Sequence, residues 1–261
     1  MTPVIEEVEA TVQSLLKQYH VHDDAAPSIL AEGLTVHYNG TVALEDVSFS
    51  VTPGERIAVV GPNGAGKSTL FKAMVGLLPT RTGRIETGGE VGYVTQRSVV
   101  DWGFPVTVHD VVMMGRVGKI GWLRWQRASD REIVQRCLAQ VGMGPFAHRQ
   151  ISELSGGQQQ RVFIARALAQ EATILLMDEP FSGVDAPSQE AILEILDRLH
   201  SQGVTMLVST HDLNLAVERF DRLALLNRRL IAYGEPRQVV TPEALAAAYG
   251  GQAVWRGDDY A

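Results

Sequence analysis

The residues Gly61-Pro62-Asn63-Gly64-Ala65-Gly66-Lys67-Ser68 carry the spacing G-x-x-x-x-G-K-[ST]. Glycines at 61, 64 and 66 let backbone N–H groups close around an anion with no Cβ in the way. Lys67 supplies a cation for the outer phosphates of a nucleotide, and Ser68 a hydroxyl suited to Mg²⁺. The helix expected to follow aims its positive end at the same anion. Taken alone, this loop leaves open kinases, GTPases, helicases and other phosphoryl enzymes. Two further clusters narrow the choice. Asp178 and Glu179 end the apolar run Ile174-Leu175-Leu176-Met177. A carboxylate at the C-terminal edge of a parallel sheet lies beside such a loop. Glu179, one residue on, projects differently and is placed to polarise a water molecule. Ser155-Gly156-Gly157-Gln158 sets a hydroxyl and two glycines at the start of a helical segment, a second anion-binding arrangement.

A scaffold must hold these residues, and the apolar pattern describes one. Strand-like alternation covers Leu30–Tyr38 and Ala43–Val51. Short apolar strands are expected at Arg56–Val60, Thr173–Asp178 and Val204–Ser209, with others near Arg84–Glu86, Val91–Thr95, Arg222–Leu226 and Leu230–Tyr233. Helices are expected from Lys67 to about Leu77, stopped near Pro79, and over Gln158–Ala169, Pro187–Ser201, Leu213–Arg219 and Pro242–Ala248. The alternation implies a mostly parallel sheet with helices on both faces. From about Arg97 to Leu154 the strand signal fades. There Val108–Met114, with Thr107 as N-cap, and Ala128–Val141 read as helices. The expected division is an N-terminal amphipathic extension and linker over 1–27, a core over 28–96 and 158–261, and a helical subdomain over 97–157.

Composition bounds the function. The 261 residues, 45% hydrophobic and 20% charged, suit one globular domain or one with an inserted subdomain. No apolar run approaches the roughly 18 residues that span a bilayer. The acidic start, Met1-Thr2-Pro3-Val4-Ile5-Glu6-Glu7, does not read as a secretory signal. The single cysteine, Cys137, excludes an intrachain disulfide, fits a reducing compartment and is expected to be a buried structural thiol. The net charge of −7 argues against nucleic acid as the main partner.

In their order along the chain, the glycine loop, Leu154-Ser155-Gly156-Gly157-Gln158, Ile174–Glu179 and His211 resemble the ATP-binding cassette ATPases, from about Leu30 to the C-terminus. The resemblance implies an α/β fold: a RecA-like P-loop NTPase core with a β-rich N-terminal part and an inserted helical subdomain. It implies ATP hydrolysis, with ATP held by Gly61, Pro62, Asn63, Gly64, Ala65, Gly66, Lys67, Ser68 and Thr69, and Mg²⁺ by Ser68, Gln96 and Asp178. Glu179 would orient the attacking water, His211 would contact the γ-phosphate, and Gln96 would couple Mg²⁺ to a membrane partner. Ser155, Gly156, Gly157 and Gln158 would face the γ-phosphate held by a second copy of the chain, so that two chains sandwich two nucleotides. Asp185 would lie at that dimer interface, and Tyr38 would stack on adenine.

The stretch from Val100 to Arg116, with Trp102, Phe104, Met113 and Met114, is rich in aromatic and Met residues, and Trp122 follows. It resembles the ATPases of manganese, zinc and iron importers that use an extracytoplasmic metal-binding protein, manganese types most of all. The implied partner is a polytopic permease, with this chain bound peripherally at the cytoplasmic face of the inner membrane. Trp102, Phe104 and Met113 are the expected contacts, since such side chains give large, adaptable surfaces. The alternatives are a zinc or iron-chelate importer, a soluble cassette that remodels a protein complex, and a non-catalytic scaffold. The last would be expected to lack Glu179 or His211. His20, His22, Asp23 and Asp24 offer nitrogen and oxygen donors that suit Zn²⁺ or Mn²⁺, or else form a solvated linker.

Overall fold

The computed structural model describes residues 26–38, 40–96, 105–121 and 125–250. Residues 1–25 of the expected amphipathic extension and linker, with the His20–Asp24 cluster, and Trp102, Phe104 and Trp122 lie outside the described residues.

Two sheets carry the chain. Strands β1 (Ile29–Tyr38), β2 (Thr41–Val51) and β4 (Thr82–Thr87) form an antiparallel sheet in the order β2-β1-β4. Strands β3 (Arg56–Val60), β5 (Val91–Val94), β6 (Ile174–Asp178), β7 (Thr205–Thr210), β8 (Arg222–Asn227) and β9 (Arg229–Gly234) form the second, in the order β5-β6-β7-β3-β8-β9. Its strands run parallel except for β9, which returns antiparallel on β8.

The central strands are apolar on both faces, as a covered parallel sheet requires. Period-two alternation then splits each strand between two cores. Ala58, Val60, Leu175, Met177, Met206 and Val208 belong to one. Ile57, Val59, Ile174, Leu176 and Leu207 belong to the other. The first core is closed by α5 (Gly156–Ala169), α6 (Ala186–Ser201), α7 (Leu213–Arg219), α8 (Pro236–Val239) and α9 (Pro242–Tyr249). The second is closed by α1 (Lys67–Met74), through Leu70 and Phe71, together with the antiparallel sheet. Helices thus lie on both faces as expected, and on this one strands share the covering, because β1 and β2 each offer one apolar row, such as Leu34 and Val36 with Leu44 and Val47.

Helix α1 ends at Met74 and not near Leu77, because Gly76 turns left-handed at φ 72. Helices α2 (Val108–Met114), α3 (Val117–Ile120) and α4 (Ala128–Gln140) lie between β5 and α5 in the chain, and α2 and α4 pack on α5. Thr107 caps α2 in a reciprocal box with Asp110. At 6% exposure the Arg116 guanidinium joins this group together. It donates to Asp130 Oδ1 at the start of α4, to the Ala169 carbonyl at the end of α5, and to Glu171 Oε2. Cys137 is buried in α4, and burial pushes its thiol up to about 11.

Candidate functional site

Strand order brings the chemistry together. The parallel strands β5, β6, β7 and β3 end on the same edge of the sheet, and register pairs Val94 with Met177, Asp178 with Ser209, and Val60 with Thr210. The residues that follow each strand end, Gln96, Glu179, His211 and Gly61, therefore emerge along one edge, as in open α/β sheets that bind ligands beyond their strand ends.

The glycine loop wraps this edge and opens α1. Gly66 is the N-cap, left-handed at φ 98, and no side chain caps the first turn. A Cβ there would lie 2.5 Å from Leu44 Cδ2 and 2.7 Å from the Ala43 carbonyl. Gly61 is needed for a second close approach, since its Cβ would fall 2.0 Å from the Leu226 carbonyl. Lys67 is 6% exposed, and its Nζ donates to the carbonyls of Gly61 at 2.7 Å and Pro62 at 3.1 Å. Burial lowers its pKa, opposed by the nearby charges of Glu179 and Asp178.

An open pocket of about 700 Å³ lies against this loop. Asn63, Gly64, Ala65, Gly66, Lys67, Ser68, Thr69, Gln96 and Glu179 line one part of it, and Tyr38, Thr41, Val42, Ala43 and Arg228 the rest. Tyr38 is 51% exposed, so its ring face is available to a flat partner. Gln96 Nε2 donates to Glu179 Oε2 at 3.1 Å, which leaves the amide oxygen of Gln96 for another group. Glu179 itself is left-handed at φ 47, a conformation that costs a residue with a Cβ about 1–2 kcal/mol. Its N–H donates to Ser209 Oγ at 2.8 Å.

Asp178 does not line the pocket. It is 3% exposed and is held from within, by Ser209 Oγ at 2.8 Å on Oδ1 and by the Tyr93 hydroxyl at 3.4 Å on Oδ2. Burial, then the charge of Asp178, push the Tyr93 hydroxyl far above the ordinary phenol range.

Ser155, Gly156, Gly157, Gln158, Asp185 and His211 are not among the residues that line the pocket. Ser155 is exposed and caps α5 in a reciprocal box: its Oγ accepts from the Gln158 N–H, and its own N–H donates to Gln158 Oε1 at 2.9 Å. The hydroxyl proton of Ser155 stays free to donate elsewhere. Gly157 is buried, and a Cβ there would lie 2.3 Å from Ser188 Cβ. This turn thus packs directly on the start of α6, whose N-cap is Asp185. The Ser188 hydroxyl beside Asp185 holds that carboxyl below the usual carboxylate range. His211 is exposed immediately before α7, which Asp212 caps through the Leu215 N–H at 3.0 Å.

Of the aromatic and Met residues expected on an outer surface, Met113 is half-buried and packs on the core, whereas Met114 is exposed; Val117 and Trp125, outside that expectation, are exposed as well. The helical period places 113 and 114 on different faces. Sequence reasoning missed Thr41–Ala43, Arg228, Tyr93 and Ser209. Arg228 had no signal: it forms the left-handed turn between β8 and β9 at φ 58, and its N–H donates to the Ala65 carbonyl of the glycine loop. Ser209 had one, a hydroxyl at the end of the apolar run Met206-Leu207-Val208.

The family model described as "ABC transporter" matches residues 44–182, and a second, "AAA domain, putative AbiEii toxin, Type IV TA system", matches 147–218. The manganese transport system ATP-binding protein MntB of Bacillus subtilis (strain 168) is 47% identical over 87% of this chain and 94% of its own length. The zinc transport system ATP-binding protein TroB of Treponema pallidum (strain Nichols) is 47% identical over 87% of this chain and 88% of its own. Among solved structures, an inward-facing transporter of the metal-chelate ABC type superimposes with TM-score 0.80 at 31% identity, over 86% of this chain and 90% of that one. A dimeric post-hydrolysis cassette bound to ADP and Pi superimposes with TM-score 0.69 at 26% identity, over 80% of this chain and 99% of that one.

Proposed function

Because this chain belongs to the ATP-binding cassette family of transporter ATPases, whose members hydrolyse ATP, we propose that two copies of it power an importer of divalent transition-metal ions, manganese foremost. The observation that carries the catalytic part is the convergence of Lys67, Ser68, Gln96 and Glu179 on one pocket, with Gln96 bonded to Glu179. The 47% identity to manganese and zinc transport proteins supports the cargo.

The glycine loop and the uncapped first turn of α1 bind the phosphates, with Lys67 on the outer ones. Tyr38 takes the adenine ring. Glu179, held at its side chain by Gln96 and at its backbone by Ser209, orients and deprotonates the attacking water. His211 contacts the γ-phosphate. The donor set fits Mg²⁺: the Ser68 hydroxyl and the Gln96 amide oxygen are oxygen ligands, and Asp178 acts through water. Mg²⁺ neutralises charge on the outer phosphates when it is bound.

Ser155 and the Gly156–Gly157 backbone complete the nucleotide site of the second copy, with Asp185 beside it. The stretch over 97–157 acts as a helical subdomain inserted in a core of 28–96 and 158–261, and presents Met114, Val117 and Trp125 to a polytopic permease. Among the described residues no helix is long and apolar enough to cross a membrane. The chain works as a peripheral subunit at the cytoplasmic face, with an extracytoplasmic metal-binding protein as its indirect partner.

Co-expression with a polytopic permease of the metal-importer class tests this reading. The expected result is a stable membrane complex whose ATPase activity and Mn²⁺ uptake both vanish in Lys67→Ala. An active ATPase that stays in the soluble fraction and supports no metal uptake would overturn the importer reading.

A further inference from the structure

We propose that Ser209 is a positioning residue for hydrolysis, whose single hydroxyl fixes the backbone of Glu179 and the carboxylate of Asp178 in one arrangement. The inference rests on the roles given above to those two acids.

Strands β6 and β7 are parallel neighbours with Asp178 opposite Ser209. Ser209 is completely buried. Its hydroxyl donates to Asp178 Oδ1 at 2.8 Å and accepts the Glu179 N–H at 2.8 Å. A hydroxyl can do both, having one proton and two lone pairs. An alkyl side chain can do neither. A buried hydroxyl with no partner is costly, and this one has two. Both go to the Asp178–Glu179 turn.

The turn needs such a hold. Glu179 is left-handed at φ 47, and a side-chain-bearing residue persists there only where its surroundings over-determine it. The Ser209 bond pins its amide, and the Ser182 N–H binds its carbonyl at 3.1 Å. Together these set the direction in which the Glu179 side chain leaves the backbone, and Gln96 holds the far end of that side chain at 3.1 Å. Without the Ser209 hydroxyl the Glu179 amide loses its partner, and only the Ser182 bond to its carbonyl and the Gln96 bond to its side chain restrain the carboxylate against moving relative to the pocket. Displacements near 1 Å in a catalytic group cost about 10²-fold in rate. Lys67 donates to the Gly61 and Pro62 carbonyls and not to Ser209, so its hold on the phosphates does not pass through that hydroxyl.

Steady-state ATP hydrolysis by the full chain with Ser209→Ala, Ser209→Cys and Ser209→Thr is the test. Ser209→Ala is expected to lower kcat roughly 10- to 100-fold with KM for ATP unchanged. Ser209→Cys keeps the volume with a weak donor and acceptor, so it is expected to fall with Ala, and it stands in should Ala fail to fold. Ser209→Thr keeps the hydroxyl and is expected to restore kcat. Amide hydrogen exchange of Glu179, a readout independent of turnover, is expected to quicken in Ala and Cys and not in Thr. In a Glu179→Gln background, Ser209→Ala is expected to add little further loss. A wild-type kcat in both Ala and Cys, or a Thr variant as slow as a folded Ala variant, would overturn the proposal. Should Glu179→Gln itself turn over normally, the assignment of Glu179 fails, an outcome distinct from an unaffected Ser209 variant in a chain that needs Glu179.

Discussion

The chain opens two helices with glycine at or just after the N-cap, Gly66 at α1 and Gly156-Gly157 at α5, and surrounds the two turns in opposite ways. At α1 the N-cap is Gly66, no side chain caps the first turn, and Tyr38, Gln96, Glu179 and Arg228 stand around it. At α5 the N-cap is Ser155, bonded with Gln158, and the turn lies outside that pocket with Ser155 exposed. The first turn leaves its N–H groups to a ligand and gathers the groups that act on it. The second satisfies part of itself and keeps one hydroxyl proton to give. The lesson is that a helix dipole marks where an anion can sit, and the neighbours decide whether chemistry follows.

The largest effect should come from removing what the first turn has and the second lacks. Glu179→Gln preserves shape and the Gln96 neighbour but removes the base, so hydrolysis should fall by about 10²–10⁴ while ATP binding persists. Single-turnover assays decide it, and near-normal rates would erase the distinction between the two turns.

Next comes the dependence of one turn on the other. Ser155→Arg should cost about 10²–10³ in turnover, as loss of a transition-state donor does. Mixing Ser155→Arg chains with Lys67→Ala chains should recover activity, because one pairing restores an intact composite site. Proven mixed dimers with no recovery would mean that the α5 turn serves no partner, or that one site cannot work alone. Ser155 suits this test better than Gly157, where any side chain would strike Ser188 of the same chain.

Smaller still is the base-side wall. Tyr38→Ala should weaken ATP and ADP alike by about 1–3 kcal/mol, the range of base–aromatic stacking, and Tyr38→Phe should not. Equilibrium titration with both nucleotides checks it; a loss confined to ATP would place the ring near the phosphates.

The least effect concerns how α5 is anchored at its other end. Glu171 and Asp130 have carboxyls held below their usual range, Glu171 by the Arg116 side chain and Asp130 by the Arg127 backbone N–H and then Arg116. Their stabilisation is complete above about pH 4.5 and is lost as pH falls through the lowered folded values. Thermal melts between pH 3 and 7 should show Arg116→Gln losing less on acidification than the parent chain, and parallel curves would assign the acid response elsewhere.

The comparison also shows what a sequence discloses. The apolar runs ending at Val60 and Asp178 are short and uninterrupted, as strands covered on both faces are, and they place the glycine loop and Glu179 on one edge. Residues joined only by folding were hidden. Arg228 reaches the pocket through a turn whose φ no spacing announces, and the hydroxyl of Ser209, visible at the end of an apolar run, gave no sign that its partners are Asp178 and Glu179. The second layer was hidden as well, because the alternation of β1 and β2 fits a strand facing either helices or another sheet. Met113 and Met114 are indistinguishable by composition, and only the rotation of α2 separates the packed one from the exposed one.

Gly157 against Ser188 has a mechanical consequence. With no Cβ on Gly157, the first turn of α5 rests directly on the Ser188 side chain in the first turn of α6. Close-packed contacts of that kind resist compression and transmit displacement without slack. Ser155 and Asp185, one at the head of each helix, therefore flank a tightly packed contact, through which a shift of one helix start would press on the other.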